Sequence, residues 1–120
     1  MALKKAKSVD ETLFRRRYPR RTYQRKIGVL AAGHFLVCEA GELGEGGLSI
    51  ISEFVFSVGS EVLINFQIPG GAFISLRAKV RTIKKDQKSV LHGLAFVDVP
   101  FQQRRQIRAF VSERVNEGLL

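Results

Sequence analysis

The feature that most constrains the fold is a strict alternation of side chains in the second half of the chain. Apolar residues or Thr alternate with polar or basic ones in the order Ile74, Ser75, Leu76, Arg77, Ala78, Lys79, Val80, Arg81, Thr82. Because successive side chains of a strand point to opposite faces, this pattern predicts an antiparallel strand with one face in the core and one in water. Solvation is the simplest explanation of its basic face.

Other short apolar segments predict more strands separated by glycine turns. Residues 27–31 and 34–38 flank an Ala-Gly pair and predict a hairpin, and residues 62–68 run into a Pro-Gly-Gly turn. Residues 90–97 form a partner strand in which Gly93 marks a bulge or a bend. A further strand over residues 48–51, after a glycine-rich stretch, brings the number to six. Six short strands with no helix between them are typical of an all-β fold, either a small barrel or a sandwich.

The end of the chain changes to helical spacing. Apolar residues recur there at helical spacing, opposite a basic face: Ile107, Phe110, Val111 and Val115. An amphipathic helix is therefore predicted over residues 99–117. We expect it to cover an open end or edge of the sheet rather than to bind a partner.

Size and composition limit the class of protein. A chain of 120 residues with 45% hydrophobic residues has room for one domain and one core. The single cysteine, Cys38, has no second cysteine with which to form an internal disulfide. No segment has the roughly 20 apolar residues of a membrane span. The sequence predicts a cytoplasmic protein with no membrane span.

The positive charge is concentrated at the start of the chain. The net charge is +9, and residues 1–26 hold ten basic residues against two acidic ones. Five arginines stand within Arg15-Arg16-Arg17-Tyr18-Pro19-Arg20-Arg21. Guanidinium forks match phosphate oxygens and the O6/N7 edge of guanine, so arginines favour oriented recognition of such groups. We expect a flexible segment over residues 1–14 and an extended arginine arm over residues 15–22; the alternative is a solvated basic tail.

A glycine-rich stretch follows the predicted hairpin. Four glycines fall within residues 41–47. Three of them lie in the segment Glu42-Leu43-Gly44-Glu45-Gly46-Gly47. The pattern predicts a tight, exposed turn that leads into a strand. It lacks the lysine and hydroxyl of a Walker loop, and its glutamates would repel phosphate, so a nucleoside triphosphatase is excluded.

These two stretches resemble one known family. Arg16-Arg17-Tyr18-Pro19-Arg20 resembles the RxxxR motif of PilZ domains, and Glu42 to Gly47 stands where that family has its (D/N)xSxxG turn. The similarity continues through His92-Gly93-Leu94-Ala95-Phe96 and the final helix, and it covers about residues 15–115.

The resemblance implies a six-stranded antiparallel PilZ-type β-barrel with a C-terminal α-helix. The domain would span residues 15–117, with the barrel over 23–97. It would be a bacterial receptor for the second messenger cyclic di-GMP (c-di-GMP). By position in the motifs, Arg16 and Arg20 would hold guanine edges and phosphates. Arg15, Arg17 or Arg21 would add stacking or charge, and Glu42, Gly44 and Gly47 would form the turn against the ligand.

The turn departs from the family pattern at two positions. Glu42 stands in place of Asp or Asn, and Gly44 in place of Ser, so that only Gly47 is kept. One lost hydrogen bond costs ~1 kcal/mol, and more where a buried group is left unpaired, so the expected loss of affinity is roughly tenfold or greater. The alternative function is therefore a degenerate PilZ domain that binds no nucleotide and acts as a protein-protein interaction module.

Other functions are less well supported by the residues. No recognition helix or aromatic platform points to nucleic acid. No catalytic triad or metal-ligand spacing is present, and His34 and His92 are far apart in sequence, so we expect neither an enzyme nor a metal site. The expected partners are c-di-GMP and a downstream protein, and the expected state is a monomer or weak dimer.

Overall fold

The structure, a computed structural model, describes the backbone of residues 19–119 and the side chains as far as residue 113. Six strands and one helix follow one another: β1 Arg20–Ala31, β2 His34–Gly44, β3 Gly47–Ser52, β4 Glu61–Gln67, β5 Phe73–Lys85, β6 Val90–Val97 and α1 Phe101–Leu119. The predicted six strands and C-terminal helix are confirmed. Within the described residues, no helix is both long and apolar enough to cross a membrane.

The strands close into a barrel in the order β1-β2-β3-β6-β5-β4. All the pairings are antiparallel, and the barrel closes where residues 28–30 of β1 pair with residues 63–65 of β4. The fold is therefore the barrel, and not the sandwich that the strand pattern also allowed. Since β3 pairs with β6 rather than β4, the glycine-rich turn before β3 lies next to the second half of the chain.

The core is formed by the inward-facing side chains of the barrel and by one face of α1. Val29, Ile50, Ile64, Ile74 and Val80 have no exposed surface, and Ile107 and Val111 of α1 are equally buried. Full burial of such side chains contributes about 2 kcal/mol each. As predicted, the helix packs its apolar face on the barrel.

The first strand begins earlier than the sequence indicated. β1 starts at Arg20, three residues before the predicted start at Tyr23. Arg21 and Thr22 already pair with β2, and the strand then bulges at Gln24, whose φ is 44°. The second half of the predicted arm is thus part of the barrel, because β2 is long enough to pair with it. Arg15, Arg16 and Arg17 lie outside the described residues.

One histidine is part of the core. His92 on β6 is fully buried, and its Nε2 accepts a hydrogen bond from the backbone N–H of Phe56 at 3.1 Å. The two rings also pack together, with 4.7 Å between their centroids. Because Nε2 must be unprotonated to accept this bond, the folded protein holds a neutral imidazole. Burial lowers the pKa of His92 below its ordinary value of 6.5.

The neutral state of His92 predicts loss of stability in acid. The unfolded chain takes up a proton below about pH 6.5 while the folded protein resists it, so stability falls as the pH falls. The slope approaches ~1.4 kcal/mol per pH unit. Chemical denaturation at a series of pH values from about 7.5 to 5 measures the slope for the wild type, His92→Gln and the exposed control His34→Gln. We expect only His92→Gln to flatten it; equal slopes for all three proteins would contradict this prediction.

Candidate functional site

The arginine stretch and the glycine-rich turn meet at one side of the barrel. Arg20 of β1 pairs with Gly44 of β2, and Nη1 of Arg20 lies 3.8 Å from a carboxylate oxygen of Glu42. Gly47 begins the next strand, and all four residues line one cleft of about 670 Å³. The structure therefore brings together four of the eight residues that the motifs selected.

The cleft lies along the seam between β3 and β6, where small residues stand in pairs. Gly47 pairs with Ala95, and Ser49 pairs with Gly93. A Cβ at Gly47 would lie 2.2 Å from the carbonyl oxygen of Leu94, so only glycine permits this pairing. Small side chains on both strands leave a recess on the surface of the barrel.

Gly44 is buried rather than exposed as the sequence analysis expected. A Cβ added there would meet Cγ of Arg20 at 3.3 Å and the carbonyl oxygen of Pro19 at 3.4 Å. The reason is the early start of β1, which covers the end of β2. The absence of a side chain at this position lets the stem of Arg20 lie close to the turn.

Two further cations reach the cleft from β5. Arg81 and Lys84 line it, and neither forms an ion pair with any other side chain described as far as residue 113. Arg81 stands at a register shift between Val80 and Thr82, where β5 bulges opposite Gly93. Both residues are exposed, as predicted for the solvated basic face of this strand, and both also line the cleft; Arg77 on the same strand pairs instead with Glu61 and Asp98.

The turn itself is held by α1. Arg108 donates two hydrogen bonds to the carboxylate of Glu45, at 2.7 and 3.2 Å, and these bonds lower the pKa of Glu45. The backbone N–H of Phe96 donates to the carbonyl of Gly46 at 2.9 Å. Glu45 was expected to repel phosphate, but its charge is balanced by Arg108. These contacts connect the turn to both α1 and β6.

Arg21 is directed away from this cleft. Its Nη1 donates to the carbonyl of Phe110 at 2.9 Å, and its guanidinium carbon lies 4.1 Å from the centre of the Phe110 ring. The same Nη1 also lies 3.7 Å from Oε2 of Glu113. Neighbouring residues of a strand point to opposite sides, so Arg20 and Arg21 cannot both face the same cleft. The structure thus does not bring Arg21 to the other predicted site residues.

The arrangement suits an anion that also presents hydrogen-bond donors. Arg20 lies on one side of the recess, and Arg81 and Lys84 lie on the other, which gives positive charge on both sides. Beside Arg20, the carboxylate of Glu42 is exposed and can accept hydrogen bonds. Phosphate groups and the donor edge of a purine satisfy these two requirements.

The chain belongs to the PilZ domain family, which matches residues 14–113. The match covers both motifs, the barrel and most of α1. No curated protein sequence matches the chain.

Several solved structures share the fold. The Bacillus subtilis inhibitor of motility MotI/DgrA superposes with a TM-score of 0.76 at 14% identity, covering 83% of this chain and 51% of that one. YcgR of Escherichia coli in complex with c-di-GMP gives 0.68 at 18% identity, covering 87% and 47%. PlzA of Borreliella burgdorferi in complex with c-di-GMP gives 0.61 at 18% identity, covering 92% and 47%. The present chain spans about half the length of each.

Proposed function

We propose that this PilZ domain is a receptor for c-di-GMP and binds it in the cleft between the glycine-rich turn and β5. The observation that supports the proposal most is the meeting of Arg20, Glu42 and Gly47 around one recess. These residues come from both family motifs. The ligand carries two phosphate charges and two guanines, so it needs cationic forks and hydrogen-bond acceptors together.

The residues have separate roles in this proposal. Arg20 binds a phosphate or a guanine O6/N7 edge, and Glu42 accepts from guanine N1–H and N2–H. Gly47 keeps the recess open. Arg81 and Lys84 provide positive charge from the opposite side.

The arm preceding β1 completes the site. Arg16 is the first arginine of the RxxxR motif and joins Arg20, the last one, on the ligand, while Arg15 and Arg17 add stacking or charge. Contact of this arm with the ligand changes the surface that a downstream protein meets, and such a change is the basis of a switch. The domain then acts as a cytoplasmic signalling receptor rather than as an enzyme.

Calorimetric titration tests the proposal. We expect wild-type protein at about 50 µM to bind c-di-GMP, and Arg16→Ala/Arg20→Ala to abolish the heat of binding. GTP and single-stranded DNA serve as controls, since GTP shares one guanine and DNA shares the phosphates. Absence of heat with c-di-GMP would instead support a degenerate domain that acts through protein contacts.

The two departures from the family turn predict that affinity can be raised. Glu42→Asp removes one methylene beside Arg20, and Gly44→Ser restores a hydroxyl. This Ser fits once the flexible stem of Arg20 moves slightly, because its Cβ would lie 3.3 Å from Cγ of Arg20 and 3.4 Å from the carbonyl oxygen of Pro19. The double substitution should tighten c-di-GMP binding roughly tenfold, the equivalent of about one hydrogen bond. Titration of both proteins in the same buffer measures the change; equal affinities would show that the turn is not what limits binding.

A further inference from the structure

An exposed apolar face lies on the barrel beside the proposed nucleotide cleft. It consists of Phe35 and Val37 on β2, Ile51 on β3 and Phe54 just after β3. Their exposed fractions are 64, 65, 41 and 58%. The four side chains line one groove of about 640 Å³. Clustered exposed aromatic and aliphatic side chains of this kind mark interaction surfaces.

Charges of both signs surround this apolar face in equal number. Lys26 and Lys88 line the same groove as Glu39 and Glu53. None of the four forms an ion pair with another side chain in the described part of the chain. The face is therefore neutral as a whole, although the chain carries a net charge of +9.

This balance of charge favours a second copy of the chain as the occupant of the groove. The net charge of +9 makes two copies of the chain repel each other, and a neutral face adds nothing to this repulsion. A two-fold interface also requires a surface that is complementary to itself. A surface with two lysines and two glutamates around an apolar centre satisfies that requirement, whereas a uniformly basic surface does not.

We propose that the face formed by Phe35, Val37, Ile51 and Phe54 binds the same face of a second copy of this chain. The aromatic rings of Phe35 and Phe54 supply the apolar centre of the interface, as aromatic anchors commonly do. The lysines and glutamates of one copy meet the glutamates and lysines of the other at the rim. The arginine and glutamate residues of the proposed nucleotide site, Arg20 and Glu42, are not part of this face.

Sedimentation velocity over a range of protein concentrations, from about 10 µM to about 1 mM, tests the proposal without any nucleotide. The wild type is expected to form a dimer within this range. Phe35→Ser/Val37→Ser should raise the dimer Kd at least about tenfold. The matched control is Phe73→Ser, because Phe73 is 74% exposed but lies on β5, which pairs with neither β2 nor β3.

A second variant tests the charge argument. Glu39→Lys/Glu53→Lys leaves the apolar side chains in place but gives the face a charge of +4. The two faces then repel each other, so the dimer Kd should again rise at least about tenfold. All four positions are exposed, and thermal unfolding confirms that the variants fold. A protein that stays monomeric up to about 1 mM overturns the proposal. A dimer that Phe73→Ser weakens as much as Phe35→Ser/Val37→Ser also overturns it, since a different face or non-specific association then holds the copies together.

Discussion

Replacement of Gly47 by Ala is expected to lower the free energy of unfolding by about 3 kcal/mol and the Tm by roughly 15 °C. The added Cβ would lie 2.2 Å from the carbonyl oxygen of Leu94 and 3.2 Å from its carbonyl carbon. Both are backbone atoms of the paired strand β6, so no side-chain rotation can relieve the contact. The β3–β6 pairing must therefore separate at the floor of the cleft.

Gly46 provides the matched control for this prediction. It belongs to the same turn, but it is exposed and a Cβ there meets no atom within 4 Å. Gly46→Ala should change the free energy of unfolding by no more than about 0.5 kcal/mol. Denaturant unfolding of the two variants measures the difference. Equal stabilities would mean that β3 and β6 are not paired as closely as the structure places them.

Removal of the Arg20 side chain is expected to weaken c-di-GMP binding about 100-fold. In the proposed site its guanidinium makes charge-assisted hydrogen bonds to the ligand, and two such bonds account for a loss of ~3 kcal/mol. Stability should hardly change, because Arg20 is half exposed and its ion pair with Glu42 spans 3.8 Å at the surface. Calorimetric titration and thermal unfolding of Arg20→Ala separate the two effects.

Removal of the neighbouring Arg21 side chain should lower stability and leave the affinity for c-di-GMP nearly unchanged. Arg21→Ala loses a hydrogen bond to the Phe110 carbonyl and the contact with its ring, so stability should fall by about 1 to 2 kcal/mol. Its c-di-GMP affinity should stay within about threefold of the wild type. Should Arg21→Ala abolish binding while Arg20→Ala does not, the assignment of the two side chains to cleft and helix would be wrong.

Much of the barrel was predictable because short-range patterns encode it. The alternation from Ile74 to Thr82 and the Ala32-Gly33 turn predicted strands and a hairpin that the structure contains. The pairing of β3 with β6 was beyond these patterns, since contacts between distant strands leave no local periodicity. The start of β1 was missed as well, because Pro19 and the run of arginines indicated an arm, while pairing with β2 decided the outcome.

The motif residues of the cleft were predictable, but its opposite side was not. Gly47 was selected because it keeps the last position of the PilZ turn that the glycine-rich stretch resembles. Arg81 and Lys84 stand on a strand whose charged face has the ordinary appearance of a solvated surface. Only the register shift opposite Gly93 and the β3–β6–β5 order bring them to the turn. Gly93 was a signal of irregular pairing, yet it could not show which partner residue would be displaced.

Backbone amide chemical shifts during titration with c-di-GMP test most directly whether the cleft is the nucleotide site. Four glycines line it: Gly44, Gly46, Gly47 and Gly93. Three glycines with positive φ lie outside its lining and serve as internal controls: Gly33, Gly59 and Gly70. We predict that the first group shifts progressively until saturation while the second stays unchanged. Saturable binding that shifts the second group and leaves the first unaffected would place the nucleotide elsewhere and contradict the proposed site.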